Sequence, residues 1–371
     1  MLEDEISSDL TEFTYFRGRV ALAAILRAMG IRRGEQVAIQ AFTCVAVPEA
    51  ILSVGAEPVY IDVDRGGINM DPTSLASRLT PATKVVVVQH TFGFPAPIQQ
   101  IQEVAARSGT AVVEDCAHTI CTTSAGKRVG RFGAASFYSF EASKPLFAGI
   151  GGSAITTDPV IAAELRRHYT HLSPPPLPVQ VAILAMYVAH RIAYRPATYW
   201  KVRRLYRALV RTGIIKGNYN KIKQDRPADD FDRKMGEWQR LLLRRGLRRL
   251  EKQTAHRLWV AEQYRSMITH PQIEHIPTPE DTTPVLARYP LVTDRKTDLL
   301  RQATEAKVEL ADFYATPIHP LDAGDLPSVG YQPGCCPEAE TMTKRIVSLP
   351  INLHVGAKQL RHAARFINSF R

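Results

Sequence analysis

Lys144 stands in the segment Ser136-Phe-Tyr-Ser-Phe-Glu-Ala-Ser-Lys-Pro-Leu-Phe-Ala-Gly-Ile-Gly-Gly152, which opens on hydroxyls and aromatics and closes on glycines. Asp115, 29 residues upstream, ends the apolar run Ala111-Val-Val-Glu-Asp115, and His118 follows it by three. A lysine amine can hold an aldehyde as a Schiff base. An aspartate at a strand end can keep a pyridine nitrogen protonated, so that the ring draws in electrons. That pair of side chains is what pyridoxal phosphate needs, although a surface lysine and a strand-end carboxylate are the plainer alternatives.

The elements that must position these groups alternate between helix and strand. The pattern predicts helices over residues 20–29, 48–54, 72–79 and 98–108, and strands over 37–41, 57–63, 84–89 and 111–115. Gly30 stops the first helix, and Pro48 suits an opening helical turn. Strands separated by helices at this spacing imply a mostly parallel sheet covered on both faces. Ligands of such sheets bind at the carboxyl ends of strands, where Asp115 and His90 both fall.

A chain of 371 residues is long enough for one large or two ordinary domains, and 45% hydrophobic with 22% charged residues is a globular balance. Five cysteines, an odd count, argue against a disulfide framework. Cys335-Cys336 is too isolated for a zinc site, so no metal is expected. The acidic start, without an apolar core, predicts a cytoplasmic protein. The net charge of +11 is local, because residues 160–260 hold 22 lysines and arginines against 7 acids. This region contains the stiff break Pro174-Pro-Pro-Leu-Pro178, an apolar stretch over 179–190 too short to span a bilayer, and the basic aromatic run Tyr199-Trp-Lys-Val-Arg-Arg-Leu-Tyr-Arg207. A long helix is expected from 234 to 267, then an α+β pattern to the end.

Seven short motifs in order resemble the DegT/StrS-type aminotransferases, fold-type I pyridoxal phosphate enzymes that aminate nucleotide-linked keto sugars. They are Gly18-Arg-Val-Ala-Leu22, Phe42-Thr-Cys44, Gly55-Ala-Glu-Pro-Val-Tyr-Ile-Asp-Val63, Gln89-His-Thr-Phe-Gly93, Glu114-Asp-Cys-Ala-His118, the Lys144 segment, and Ser348-Leu-Pro-Ile-Asn-Leu-His354. The resemblance implies a fold-type I α/β transferase with a smaller C-terminal α+β domain and a helical insert: residues 1–165 for the cofactor, 166–232 as the basic insert, and 233–371 for the long helix and small domain. It implies Lys144 as the covalent and acid–base residue, Asp115 at the ring nitrogen and His118 against the ring or its phenolic oxygen. Gly18, Arg19 and Ser139 would hold the phosphate, and Thr43 and Cys44 would approach the cofactor. His90, His319 and His354 are candidates for substrate contact; packed structural histidines are the alternative reading of His118, His319 and His354.

Three positions depart from the family. Cys44 stands where an aromatic stacks on the ring, which leaves that face to another residue such as His118. Ile150 replaces an acid. Asp232 stands where an asparagine reaches the partner subunit's phosphate, and a carboxylate there would repel it. The basic insert has three readings: peripheral contact of residues 172–228 with an anionic membrane, a lid that binds a substrate's diphosphate, or a hairpin packed on the dimer. No nucleic-acid module appears. The expectation is a homodimeric aminotransferase with its active site at the interface, taking an amino group from glutamate to a keto sugar for a polysaccharide, glycolipid or glycosylated metabolite. The alternatives are a membrane-associated scaffold or regulator, or a sugar dehydratase of the same family, which would carry histidine in place of Lys144.

Overall fold

Apolar residues of the predicted strands alternate between two buried clusters, and this alternation builds the sheet. Val85 and Val87 face one cluster while Val86 and Val88 face the other, so both sides of the strand are covered. The computed structural model describes residues 10–193, 198, 200 and 230–371. Its main sheet has seven strands: β1 (Thr11–Tyr15), β2 (Gln36–Gln40), β3 (Glu57–Ile61), β4 (Thr83–Gln89), β5 (Ala111–Asp115), β6 (Ala135–Ser139) and β7 (Gly152–Thr156), in the order β1-β7-β6-β5-β4-β2-β3. β7 is antiparallel to both neighbours, and the strands from β6 to β3 are parallel.

Helices α1 (Gly18–Ala28) and α2 (Ala46–Ser53) contribute to one face, and α3 (Pro72–Arg78) and α4 (Ile98–Arg107) to the other. The Asp71 side chain caps α3 by accepting from the Thr73 and Ser74 amides, with proline in the first turn. In register, Gln89 lies beside Asp115 and Asp115 beside Phe137, so the carboxyl ends of β4, β5 and β6 form one ledge.

α5 (Pro159–Thr170) and α6 (Leu177–Ala193) follow. Tyr199 and residues 201–229, with Arg203, Arg204, Leu205, Tyr206 and Arg207 of the basic run, lie outside the described residues. No helix among the described residues is long and apolar enough to cross a membrane.

The single long helix expected over 234–267 is instead two, α7 (Glu237–Leu247) and α8 (Leu250–Met267). Arg249 leaves the helical region at φ −112° and ψ 7°, and its amide bonds three residues back to Gly246 O. The Gln253 side chain donates to the same carbonyl at 3.2 Å, which stabilises the break. Gly246 also permits close packing, since a Cβ there would lie 2.8 Å from Leu146, two residues past Lys144.

After α8 comes a small antiparallel sheet of β8 (Glu274–His275), β9 (Tyr289–Val292) and β10 (Ile346–Leu349), with α9 (Lys296–Glu305), α10 (Pro337–Arg345) and α11 (Ala357–Asn368). Tyr264 of α8 packs on Tyr289 with ring centroids 5.3 Å apart.

Candidate active site

The ledge at the strand ends floors a cavity of about 1880 Å³ lined by Gly18, Arg19, Cys44, Asp115, His118, Ser139, Lys144, His319 and His354. Nine of the sequence-predicted residues therefore meet in one place. Thr43 lies just beneath, buried, with its hydroxyl donating to Gln89 Oε1 at 2.6 Å. Gln89 is itself a lining residue.

His90 is the exception. It is fully buried away from the cavity, where Nδ1 accepts from the Ala96 amide at 3.1 Å and Nε2 faces Glu114 Oε2 at 3.1 Å. The accepting Nδ1 puts the ring proton on Nε2, pointing at the carboxylate. Glu114 also takes the amides of Gly130, Phe132 and Gly133 at 2.5–2.7 Å. The pair thus braces the loop after β5, and the structure does not bring His90 to a substrate.

Asp115 ends β5 buried, with Oδ1 accepting from the Ala117 amide at 2.8 Å. Burial raises its pKa, against the pull of that amide and the charge of Lys144. A buried anion with one short hydrogen bond has capacity for a cationic N–H partner. His118 is held neutral: burial and then Lys144 push its pKa well down. Its Nδ1 accepts from the Phe92 amide at 3.2 Å, which leaves Nε2 as a donor.

Gly18 and Ser139 form a cradle. A Cβ at Gly18 would lie 3.0 Å from Ser139 Cβ and 3.3 Å from its Oγ, so only glycine keeps this space open. Arg17, the residue before α1, gives no side-chain cap, and the first-turn amides are therefore available to an anion. The residues fit a phosphate at this point. Arg19 meets the expectation only in part. Its terminal nitrogens bond Glu49 at 3.2 Å and Asp230 at 2.8 Å, while its buried Nε has no partner among the described residues. Arg17 bonds the same Asp230 oxygen at 2.7 Å and Glu141 at 2.8 Å. Asp232, suspected of repelling a phosphate, is exposed near Arg27, and its neighbours Arg233 and Lys234 run along β1.

An aromatic wall stands where Cys44 leaves room. Thr43–Cys44 pairs in parallel with Ile318–His319, bringing in a distant loop. Phe313 stacks on His319 at 6.0 Å and 21° and meets His118 edge-on at 5.6 Å, and Tyr314 completes the cluster. Burial holds His319 neutral, with its pKa pushed down to about 4. The buried Arg257 and the salt-bridged Arg288 also line the cavity; Arg288 pairs with Glu309 at 3.5 Å. Arg17, Arg257, Phe313 and Tyr314 were not singled out from sequence.

A profile of the DegT/DnrJ/EryC1/StrS aminotransferase family matches residues 14–368. The L-glutamine:2-deoxy-scyllo-inosose aminotransferase of Streptomyces kanamyceticus is 37% identical over 164 residues, which span 43% of this chain and 38% of that enzyme. The dTDP-3-amino-3,4,6-trideoxy-alpha-D-glucose transaminase of Streptomyces venezuelae is 25% identical over 358 residues, spanning 95% of this chain and 80% of that one. Among solved structures, S. venezuelae DesV in complex with a ketimine intermediate superposes with a TM-score of 0.75 at 23% identity, covering 96% of this chain and 84% of that one. At that identity the likeness speaks for the fold.

Proposed function

The chain belongs to the DegT/DnrJ/EryC1/StrS aminotransferase family, and from that membership we propose that it moves an amino group from glutamate to a nucleotide-linked keto sugar. It is a pyridoxal-phosphate-dependent sugar aminotransferase. When bound, pyridoxal phosphate supplies an aldehyde to carry the amino group and a ring that takes up electrons.

In this reading Lys144 would hold the cofactor's aldehyde, then act as the base and acid that moves a proton at the substrate carbon bearing the amine. Asp115 would keep the ring nitrogen protonated. Neutral His118 would either donate from Nε2 to the ring's phenolic oxygen or stand against the ring's face, and Phe313 and His319 beside it would help fill the face that Cys44 cannot cover. The Gly18–Ser139 cradle would hold the phosphate. Thr43 would fix Gln89 beneath the ring. His319 and His354 would meet the substrate.

The same reading takes the enzyme to be a cytoplasmic homodimer with its site at the subunit interface, with residues 172–228 touching a membrane surface, and its product bound for a polysaccharide, glycolipid or glycosylated metabolite. What supports it above all is the convergence of Lys144, Asp115, His118 and the Gly18–Ser139 cradle on one cavity. The test is a single-turnover titration of the reconstituted holoenzyme. Glutamate is expected to bleach the visible cofactor band and a keto sugar nucleotide to restore it. A band unmoved by glutamate and by other amino acids would contradict the proposal.

A further inference from the structure

Residues 172–189, which run from before α6 through most of it, contain no charged side chain. The inner side of α6 is accounted for: Ile183 is buried, Leu184 and Tyr187 pack on the core, and Tyr187 stacks on Phe147 at 5.0 Å. The outer side is apolar and uncovered. Leu177, Val181, Val188 and Ile192 are 65%, 55%, 49% and 53% exposed. At about 100° per residue these four fall within an arc of about 60°, and Ala182, Ala185 and Ala189 beside them are exposed too. Single exposed aliphatics are ordinary on a protein surface, but a row along a whole helix is not.

Charge indicates what covers it. No aspartate or glutamate occurs between Glu164 and Asp225, an interval that holds 12 lysines and arginines. An apolar helix face set within an acid-free basic stretch of the sequence suits an anionic phospholipid surface, where the aliphatics enter the acyl boundary. A symmetric contact with a second copy would instead bring this basic stretch against itself. Over its described residues the helix is too short to cross, and it would lie in the interface.

We infer that the outer face of α6, centred on Val181 and Val188, seats the protein on an anionic membrane. This rests on the membrane reading of residues 172–228 and not on the identity of the sugar. The inner face of the same helix contributes Met186, Tyr187, His190 and Arg191 to the cavity wall. Seating α6 on the bilayer therefore brings the cavity within about one helix diameter, roughly 10 Å, of the headgroups.

The test is flotation of the full-length holoenzyme with vesicles of phosphatidylglycerol and phosphatidylcholine, or of phosphatidylcholine alone. The wild type is expected to float with the anionic vesicles, less so in high salt, and not with the neutral ones. Val181→Glu/Val188→Glu is expected to lower the bound-to-free ratio at least about tenfold, with sedimentation and the glutamate half-reaction unchanged. Should that pair disturb folding, Leu177→Gln/Ile192→Gln carries the same expectation. Wild-type protein that fails to float overturns the inference together with the membrane reading. Equal flotation of wild type and folded variants overturns the inference alone and leaves the contact elsewhere in 172–228. A variant that floats normally but loses its dimer shows the face to be a subunit contact and overturns it as well.

Discussion

The guanidinium of Arg257 donates through Nη2 to the carbonyl of Pro145, the residue that follows Lys144, at 3.3 Å. Nη1 of the same group donates to Leu286 O at 2.8 Å and Ala287 O at 3.0 Å. One buried cation from α8 thus fastens the lysine loop to the segment that leads into β9. Burial, reinforced by Arg288, lowers its pKa to about 10, so it remains charged at neutral pH. Arg257→Met leaves three carbonyls without their donor and is expected to cost about 3 kcal/mol of stability. It should slow the glutamate half-reaction at least about tenfold through misplacement of Lys144, with Arg257→Lys intermediate. Denaturant melts and stopped-flow traces check both; a destabilised variant with unchanged rates would confine Arg257 to a packing role.

Asp230 draws Arg17 and Arg19 to a single carboxylate oxygen beside the phosphate cradle. Its charge opposes a phosphate dianion there. Asp230→Asn removes the charge and releases the arginines, and is expected to tighten pyridoxal phosphate binding about fivefold, a little under 1 kcal/mol per neighbouring charge at intermediate dielectric. Cofactor titration of the apoprotein measures this. Weaker binding would mean that Asp230 serves to orient the arginines.

Gly18→Ala tests the cradle itself. The added methyl would sit 3.0 Å from Ser139 Cβ, in the space assigned to the phosphate. Cofactor affinity is expected to fall at least about tenfold with the fold retained, and Ser139→Ala to lower it less, by about one hydrogen bond to a charged group. Equal affinities in all three proteins would move the phosphate elsewhere.

His319 gives a pH signature. Its folded pKa of about 4 lies below the unfolded value, through burial. Its contribution to stability is therefore complete above an unfolded pKa of about 6.5 and is lost as pH falls through 4. The apoprotein's Tm should drop over this window, and His319→Gln should drop less steeply. Identical slopes would show that other groups carry the acid sensitivity.

Much of this site was legible in the sequence because its residues sit on local signals. Asp115 ends an apolar strand, Gly18 opens a helix, and Lys144 follows a hydroxyl-rich strand end. The parallel sheet followed from the valine runs and their spacing. What escaped was set by long-range packing. Arg257 is one of 22 basic residues in its region and nothing in its neighbourhood sets it apart. Phe313 and Tyr314 reach the cavity only because Ile318–His319 pairs with Thr43–Cys44, some 275 residues away in the chain. His90 shares a strand-end position with Asp115, yet its partner Glu114 draws it into the interior. The break between α7 and α8 is held by the Gln253 side chain on Gly246 O, a bond that no helical periodicity encodes.

Lys144 is the residue on which the chemistry depends, and its role is checked by borohydride reduction of the holoenzyme followed by peptide mass spectrometry. A single phosphopyridoxyl adduct is expected on the peptide containing Lys144, absent from Lys144→Ala protein that still folds and binds cofactor. An adduct on another lysine, or none while the visible band is bleached, would contradict it.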